Sequence, residues 1–210
     1  MPVILQDDRV WFDEAHKLEQ IGKEVSALQA NGNSVLLLSH FEGTLARLGA
    51  LLGQMGIRHE RFSSLNPSEL CRSPAARVWL GAAAAFRVAA QTALPEAEVA
   101  NGETLEILVA EHHPFQSRDQ EIVDAAAKLT CRSQLGFYFS LDDPVMEHFG
   151  AEAVKALFER LGIEKSDCIS HRLINTAIRN AQEKIESKVG RDVSTYSAAD
   201  WFKYNLPGKK

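Results

Sequence analysis

The densest store of reactive side chains lies at residues 110–129, AEHHPFQSRDQEIVDAAAKL, which carry Glu111, His112, His113, Arg118, Asp119, Glu121 and Asp124 ahead of three alanines. Carboxylates beside imidazoles can move protons or hold a divalent metal. His40 and His59 stand near other apolar runs, so a histidine-metal enzyme using His112, His113 and His59 is one alternative. Adjacent residues on a strand point to opposite faces, however, and one ion could not easily take both His112 and His113. Solvated loop histidines, with no metal and no other cofactor, are the expectation. Asp142 and Asp143 precede Pro144 and a helical run, where acids complement the positive end of a helix more readily than they catalyse. The chain has no GxxxxGK[ST] phosphate loop, GxSxG elbow, HExxH pair or GxGxxG turn.

These residues need elements to position them. Five short apolar runs, at 34–40, 57–62, 76–81, 105–110 and 135–140, are largely unalternating, as in strands covered on both faces. Between them, 12–32 and 43–56 show helical spacing and end in Asn-Gly and Met-Gly, where glycine suits a left-handed helix end. Strand, crossover helix, strand predicts an α/β fold: a doubly wound parallel sheet of about five strands with helices on both faces. The alanine-rich 80–102 reads as a strand end followed by a helix or loop, stopped by Pro95. After Ser140 the pattern is helical, first at 151–162 and then at 170–189, where Ile174, Ile178, Ala181 and Ile185 form one stripe. The organisation predicted is a sheet domain over 1–165 and a helical extension over 166–210.

With 210 residues, 45% of them hydrophobic, the chain can bury a full core. Its net charge of −5 argues against a nucleic-acid partner, which would need clustered Lys and Arg. Cys71, Cys131 and Cys168 are odd in number and far apart, which suggests neither a disulfide framework nor a zinc knuckle, and a reducing, cytoplasmic setting follows. No stretch approaches a membrane span.

Two motifs then become recognisable. The segment FYFSLDDPVMEHFGAEAVKALFERLGI resembles the part of the SecA preprotein-translocase family after its last helicase motif, matching at Phe137, Tyr138, Ser140, Asp143, Met146 and Phe149, with Leu161 and Gly162 following in register. AIRNAQEKIES is similar to the start of that family's scaffold helix, matching at Ala177, Ile178, Asn180, Ala181, Gln182, Lys184, Ile185 and Glu186. Weaker similarity extends back through Val35, Leu36, Glu42, Leu48, Leu52, Gly56, Ile57 and His59. The resemblance covers about 8–187 and implies a RecA-like, helicase second-domain fold: the second motor domain plus the beginning of the scaffold. The first motor domain, which carries the phosphate loop, is not in this sequence.

The resemblance also says what has been lost. The family's last motor motif falls without a gap on 110–128, where Glu111, His113 and Asp119 match. Its glutamine has become Glu121, its glycines Asp124 and Ala127, its phosphate-reaching arginine Ala125 and its final arginine Lys128. Such an arginine is worth roughly 10³ to 10⁵ in rate, and alanine supplies none of it. In the neighbouring motif, AAAAFRVAA keeps Arg87, has Ala90 for the aspartate, and puts Phe86 and Val88 where glycines let the backbone approach phosphate. The expected protein is a catalytically inactive module that binds another protein: a SecA-type ATPase, a secretion component or a second copy of itself. Half of a split ATPase, with Arg87 and Lys128 as surviving phosphate contacts, is the other alternative. Trp201, Phe202 and Tyr204, near the end, are either a fold-back cover for the core or a protein-binding segment.

Overall fold

The computed structural model describes residues 3–62, 67–71, 76–91, 104–147, 167–170 and 172–206, with positions 155, 160, 162 and 164. The strands are β1 (Val3–Leu5), β2 (Arg9–Trp11), β3 (Ser34–Ser39), β4 (Glu60–Phe62), β5 (Val78–Ala82), β6 (Thr104–Val109) and β7 (Arg132–Ser140). The helices are α1 (Glu14–Ala30), α2 (Glu42–Gln54), α3 (Pro67–Leu70), α4 (Ala83–Gln91), α5 (Gln116–Ala127), α6 (Pro144–Glu147), α7 (Arg172–Glu186) and α8 (Ala198–Asn205). Phe149, Leu161, Pro95 and most of the 151–162 run lie outside the described residues.

The sheet runs β1-β7-β6-β3-β5-β4, every described pairing is parallel, and β2 lies beside the second half of β7. The five expected strands are all present in one parallel sheet. Two more, β1 and β2, were not foreseen, because three residues are too few to show a period. They pair successively with β7, Val3 opposite Ser133 and Arg9 opposite Tyr138, and the link Gln6, Asp7, Asp8 leaves a gap in the edge. Val10 also exchanges two backbone hydrogen bonds of 2.9 Å with Ile169, which protects the outer side of β2.

Alternation along the central strands builds one core on each face. Leu36, Leu38, Trp79, Ile107 and Val109 pack with Phe86 of α4 and Ile122 of α5. Val35, Leu37, Leu80 and Leu108 pack with Ile21 and Val25 of α1 and Leu45, Leu48 and Leu52 of α2. The predicted helix ends hold: Gly32 and Gly56 follow α1 and α2 with φ of 85° and 69°.

The predicted C-terminal helix is present as α7 and packs on the sheet domain. Ile178 joins Val10, Phe139, Leu141 and Met146, and Ile185 joins Phe41, Phe115, Trp201 and Phe202. The cysteine reading needs correction. Cys71 and Cys131 are joined in a disulfide across 60 residues of sequence and buried in the α4–α5 core, while Cys168 is free and exposed. Sequence spacing does not report a pairing that depends on α3 and the start of β7 meeting in space. Among the described residues, no helix is long and apolar enough to cross a membrane.

Candidate functional site

The chain leaves β3 toward one sheet edge and β6 toward the other, so the loops after these neighbouring strands diverge. In open α/β sheets that divergence makes the crevice in which ligands bind. Here the two loops are fastened together. Glu111, only 6% exposed, accepts from Ser39 Oγ (2.6 Å), the His40 and Phe41 amides (3.0 Å each) and Thr44 Oγ1 (2.7 Å). Asp119, on the first turn of α5, accepts from the His113 amide (3.0 Å), His40 Nε2 (2.8 Å), His112 Nδ1 (2.7 Å) and Gln182 Nε2 (2.6 Å). Asp119 accepts two hydrogen bonds on each oxygen, and Glu111 accepts three on Oε1 and one on Oε2.

The scaffold-like helix completes the knot. Gln182 also donates to the His113 carbonyl at 2.7 Å, and Glu186 accepts from Ser117 N (3.2 Å) and Ser117 Oγ, placing a carboxylate at the positive end of α5. Of the other matched positions, Ile178 is buried, whereas Ala177, Asn180 and Lys184 face solvent. In the FYFSLDD segment, Phe137, Tyr138, Ser140, Asp143 and Met146 are all buried.

His112 and His113 are each 7% exposed, which overturns the expectation of solvated loop histidines. They point apart, as adjacent residues should. His112 stacks on Phe137 at 4.6 Å, and His113 lies against Phe41, Phe115 and Trp201 at 5.7 Å each. Burial disfavours a charged His112, but Asp119 and Asp8 outweigh it and push its pKa up to about 10. Burial and the charge of His40 push His113 down to about 3, so it is neutral. Burial opposes ionised Asp119, yet the imidazoles of His112 and His40 hold its carboxyl well below the usual range. Buried ion pair and neutral ring thus have separate causes within three residues.

The metal alternative loses its geometry. His59 precedes β4, at the N-terminal end of the parallel strands, whereas His40, His112 and His113 follow the C-terminal ends of β3 and β6, and the His59 Nδ1 lies 3.2 Å from the Ile57 carbonyl. Among the described residues, no three His, Cys, Asp or Glu side chains are placed to share an ion.

The chain's own C-terminal segment packs into one side of the crevice, and a cavity of about 610 Å³ remains among Gly43, Thr44, Glu111, Asp142 and residues 196–199. Trp201 of α8 is fully buried, meets Phe115 at 5.1 Å, and donates from Nε1 to Asp192 Oδ1 at 2.8 Å. Asp192 is gripped by Arg118 Nε (3.0 Å) and Nη2 (2.9 Å). The Tyr196 carbonyl takes the Gly43 amide at 2.9 Å, at the start of α2, where a Cβ on Gly43 would come within 3.1 Å of it. Phe202 is buried and Tyr204 is 62% exposed.

The remaining motif positions are engaged elsewhere. Ala125 and Ala90 are buried in the α4–α5 core. Phe86 is fully buried edge-on to Phe62 and Val88 is 62% exposed, so the pair serves packing and surface and does not obstruct a loop as expected. Glu121 pairs with Arg87 and with Arg118 (3.2 Å), exposed Asp124 accepts from Gln120 (2.9 Å), and Lys128 caps the far end of α5. Asp142 and Asp143 do not act together at a helix end. Asp142 takes Lys155 (2.9 Å), while Asp143 is buried against Lys17 at 2.8 and 3.0 Å and accepts from the Ser140 amide at 3.0 Å. Sequence reasoning missed Lys17, although it sits four and eight residues before Ile21 and Val25 on the buried stripe of α1.

Fold and site together define a parallel α/β module whose switch-point crevice is partly walled by its own C-terminal segment. No family model matches the chain. Its sequence is SecA-like: it is 27% identical over 187 residues to the protein translocase subunit SecA of Caldicellulosiruptor saccharolyticus, covering 86% of this chain and 22% of that protein. It is 28% identical over 189 residues to SecA of Chlorobaculum tepidum, covering 87% and 18%. The chain therefore spans about a fifth of the length of these curated relatives. Among solved structures, the C-terminal part of the Fun30 ATPase domain matches with 12% identity and a TM-score of 0.44 over 81% of this chain and 54% of that one. The C-terminal domain of a possible DNA helicase from a Lactobacillus matches at 10% identity and TM-score 0.37, over 66% and 73%.

Proposed function

We propose that this chain is a catalytically inactive SecA-like module that acts by binding a protein: a SecA-type ATPase, another secretion component or a second copy of itself. The observation that carries the reading is the fate of the motor motif. The residues kept from it, Glu111, His113 and Asp119, hold the loops together, and Trp201 packs on His113 beside them. The position for its phosphate-reaching arginine is Ala125, packed in apolar core. A buried alanine cannot offset charge on a transferred phosphoryl group, and an arginine there would need room the core lacks.

The test is calorimetric titration of the purified chain with ATP, with and without magnesium, alongside titration of the chain into a purified SecA ATPase while its turnover is followed. The reading expects no saturable nucleotide binding at millimolar concentration. Magnesium-dependent turnover by the chain alone would overturn it. Turnover that appears only with a second protein, and disappears in Arg87→Ala or Lys128→Ala, would establish the split-ATPase alternative.

A further inference from the structure

The two edges of the sheet are finished differently. On β4 the exposed side chains are Glu60 and Arg61, ion-paired with Arg77 (3.5 Å) and Glu42 (3.1 Å) respectively. Charges on an edge strand discourage another strand from joining it. At the opposite edge, Ile169 takes the outer side of β2. The outer side of β1 has no strand against it among the described residues, and its Ile4 and Leu5 are apolar yet 52% and 51% exposed.

The backbone of β1 shows what fits there. Gln6 donates its amide to the Leu135 carbonyl at 2.8 Å and so faces β7. Successive residues of a strand turn their backbone groups to opposite edges, so Ile4 also faces β7, while Val3 and Leu5 turn their N–H and C=O outward. These outward groups lie symmetrically about Ile4. A second β1 running antiparallel meets all of them, with Val3 opposite Leu5, Ile4 opposite Ile4 and Leu5 opposite Val3. The Val3–Leu5 pairs then exchange both hydrogen bonds, and the two Ile4 side chains meet in the closer, non-hydrogen-bonded pair. Such a contact is self-complementary about a two-fold axis through Ile4.

The charges beside β1 favour the same direction. Val3 lies opposite Ser133, so exposed Arg132 stands beside the start of β1, and exposed Asp7 follows its end. Antiparallel pairing sets the basic end of each copy by the acidic end of the other, whereas parallel pairing would set like by like.

We propose that β1 is a self-association edge, at which two copies of this chain join their sheets through an antiparallel β1–β1 pair centred on Ile4. The inference rests on the reading of the chain as a protein-binding module and names a second copy as the partner. A contact built on so short a strand is small, so the dimer is reversible, with a dissociation constant on the order of 10–100 µM.

The experiment is sedimentation equilibrium of the full chain. A concentration-dependent dimer is expected, weakened at least about tenfold by Ile4→Lys, which sets like charges against each other at the axis, and unchanged by Val88→Lys on the exposed face of α4. Cross-linking reads the register. In a Cys168→Ser background, Ile4→Cys should close an intermolecular disulfide on air oxidation, because directly opposed Cβ atoms are about 5 Å apart; Leu5→Cys should not, because the two copies of residue 5 are diagonal neighbours at about 7–8 Å. A monomer at roughly 0.5 mM, a dimer indifferent to Ile4→Lys, or Leu5→Cys cross-linking as readily as Ile4→Cys would each overturn the proposal. A monomer that still binds a SecA ATPase would overturn the self-association edge and leave the protein-binding reading standing.

Discussion

Replacing Trp201 with alanine is the most direct test of whether the C-terminal segment is part of the core. The indole is fully buried and packs against His113, Phe115 and Phe202 at 5.1 to 5.7 Å. Truncating a buried Trp to Ala costs about 3–5 kcal/mol. The lost Nε1 hydrogen bond adds little, because Asp192 keeps both contacts from Arg118 and is not orphaned. For a chain of this size each kcal/mol moves the thermal midpoint by about 2–4 °C, so a fall of roughly 6–20 °C is expected. The assay is thermal unfolding followed by far-UV circular dichroism, with calorimetry as the check on cooperativity. Tyr204→Ala, at an exposed side chain three residues on, should change stability by no more than about 0.5 kcal/mol. Truncation after Tyr196 should cost at least as much as Trp201→Ala. A Trp201→Ala midpoint within about 2 °C of the parent would refute the argument and return the segment to the role of a free protein-binding tail.

The buried ion pair gives a second expectation: Lys17→Met leaves the buried Asp143 without its cation, with only the Ser140 amide and hydroxyl to hold it, and should destabilise by about 3–5 kcal/mol in urea unfolding, with part of the loss recovered in Lys17→Met/Asp143→Asn. The two adjacent histidines should show opposite pH dependence. His112 has a raised folded pKa, so its contribution is complete below its ordinary value near 6.5 and fades as pH rises toward about 10; His112→Gln should flatten the stability curve in that window. His113 has a lowered folded pKa, so protonation of the unfolded chain weakens the fold as pH falls from 6.5 toward about 3, and His113→Gln should remove that slope in unfolding measured against pH. Reduction of the Cys71–Cys131 disulfide should lower stability by about 2–5 kcal/mol, and alkylation read by mass spectrometry should label Cys168 without reductant but the other two only after reduction and unfolding.

Much of the fold was legible in the sequence because its signals are local. Continuous apolar runs such as VLLL at 35–38 belong to strands covered on both faces, and glycines after α1 and α2 mark turns that other residues resist. The stripe of Ile174, Ile178 and Ile185 predicted a packed C-terminal helix for the same reason. Strands β1 and β2 escaped because three residues carry no period; pairing with β7 makes them strands, and that is a property of the partner.

The site divides along the same line. The substitution of Ala125 for an arginine and of Ala90 for an aspartate can be read directly, since absence of a functional group needs no coordinates. What Glu111, His112, His113 and Asp119 do instead could not be read. Their burial depends on loops from β3 and β6 meeting at the switch point, on Gln182 arriving from 63 residues away, and on Trp201 covering His113. Residue type sets what a side chain can donate, accept or ionise. Which of these it does is set by its neighbours in space: the same stretch reads as a solvated relic of a catalytic loop when taken alone and is a buried structural knot once Asp119, His112 and His40 share one desolvated site.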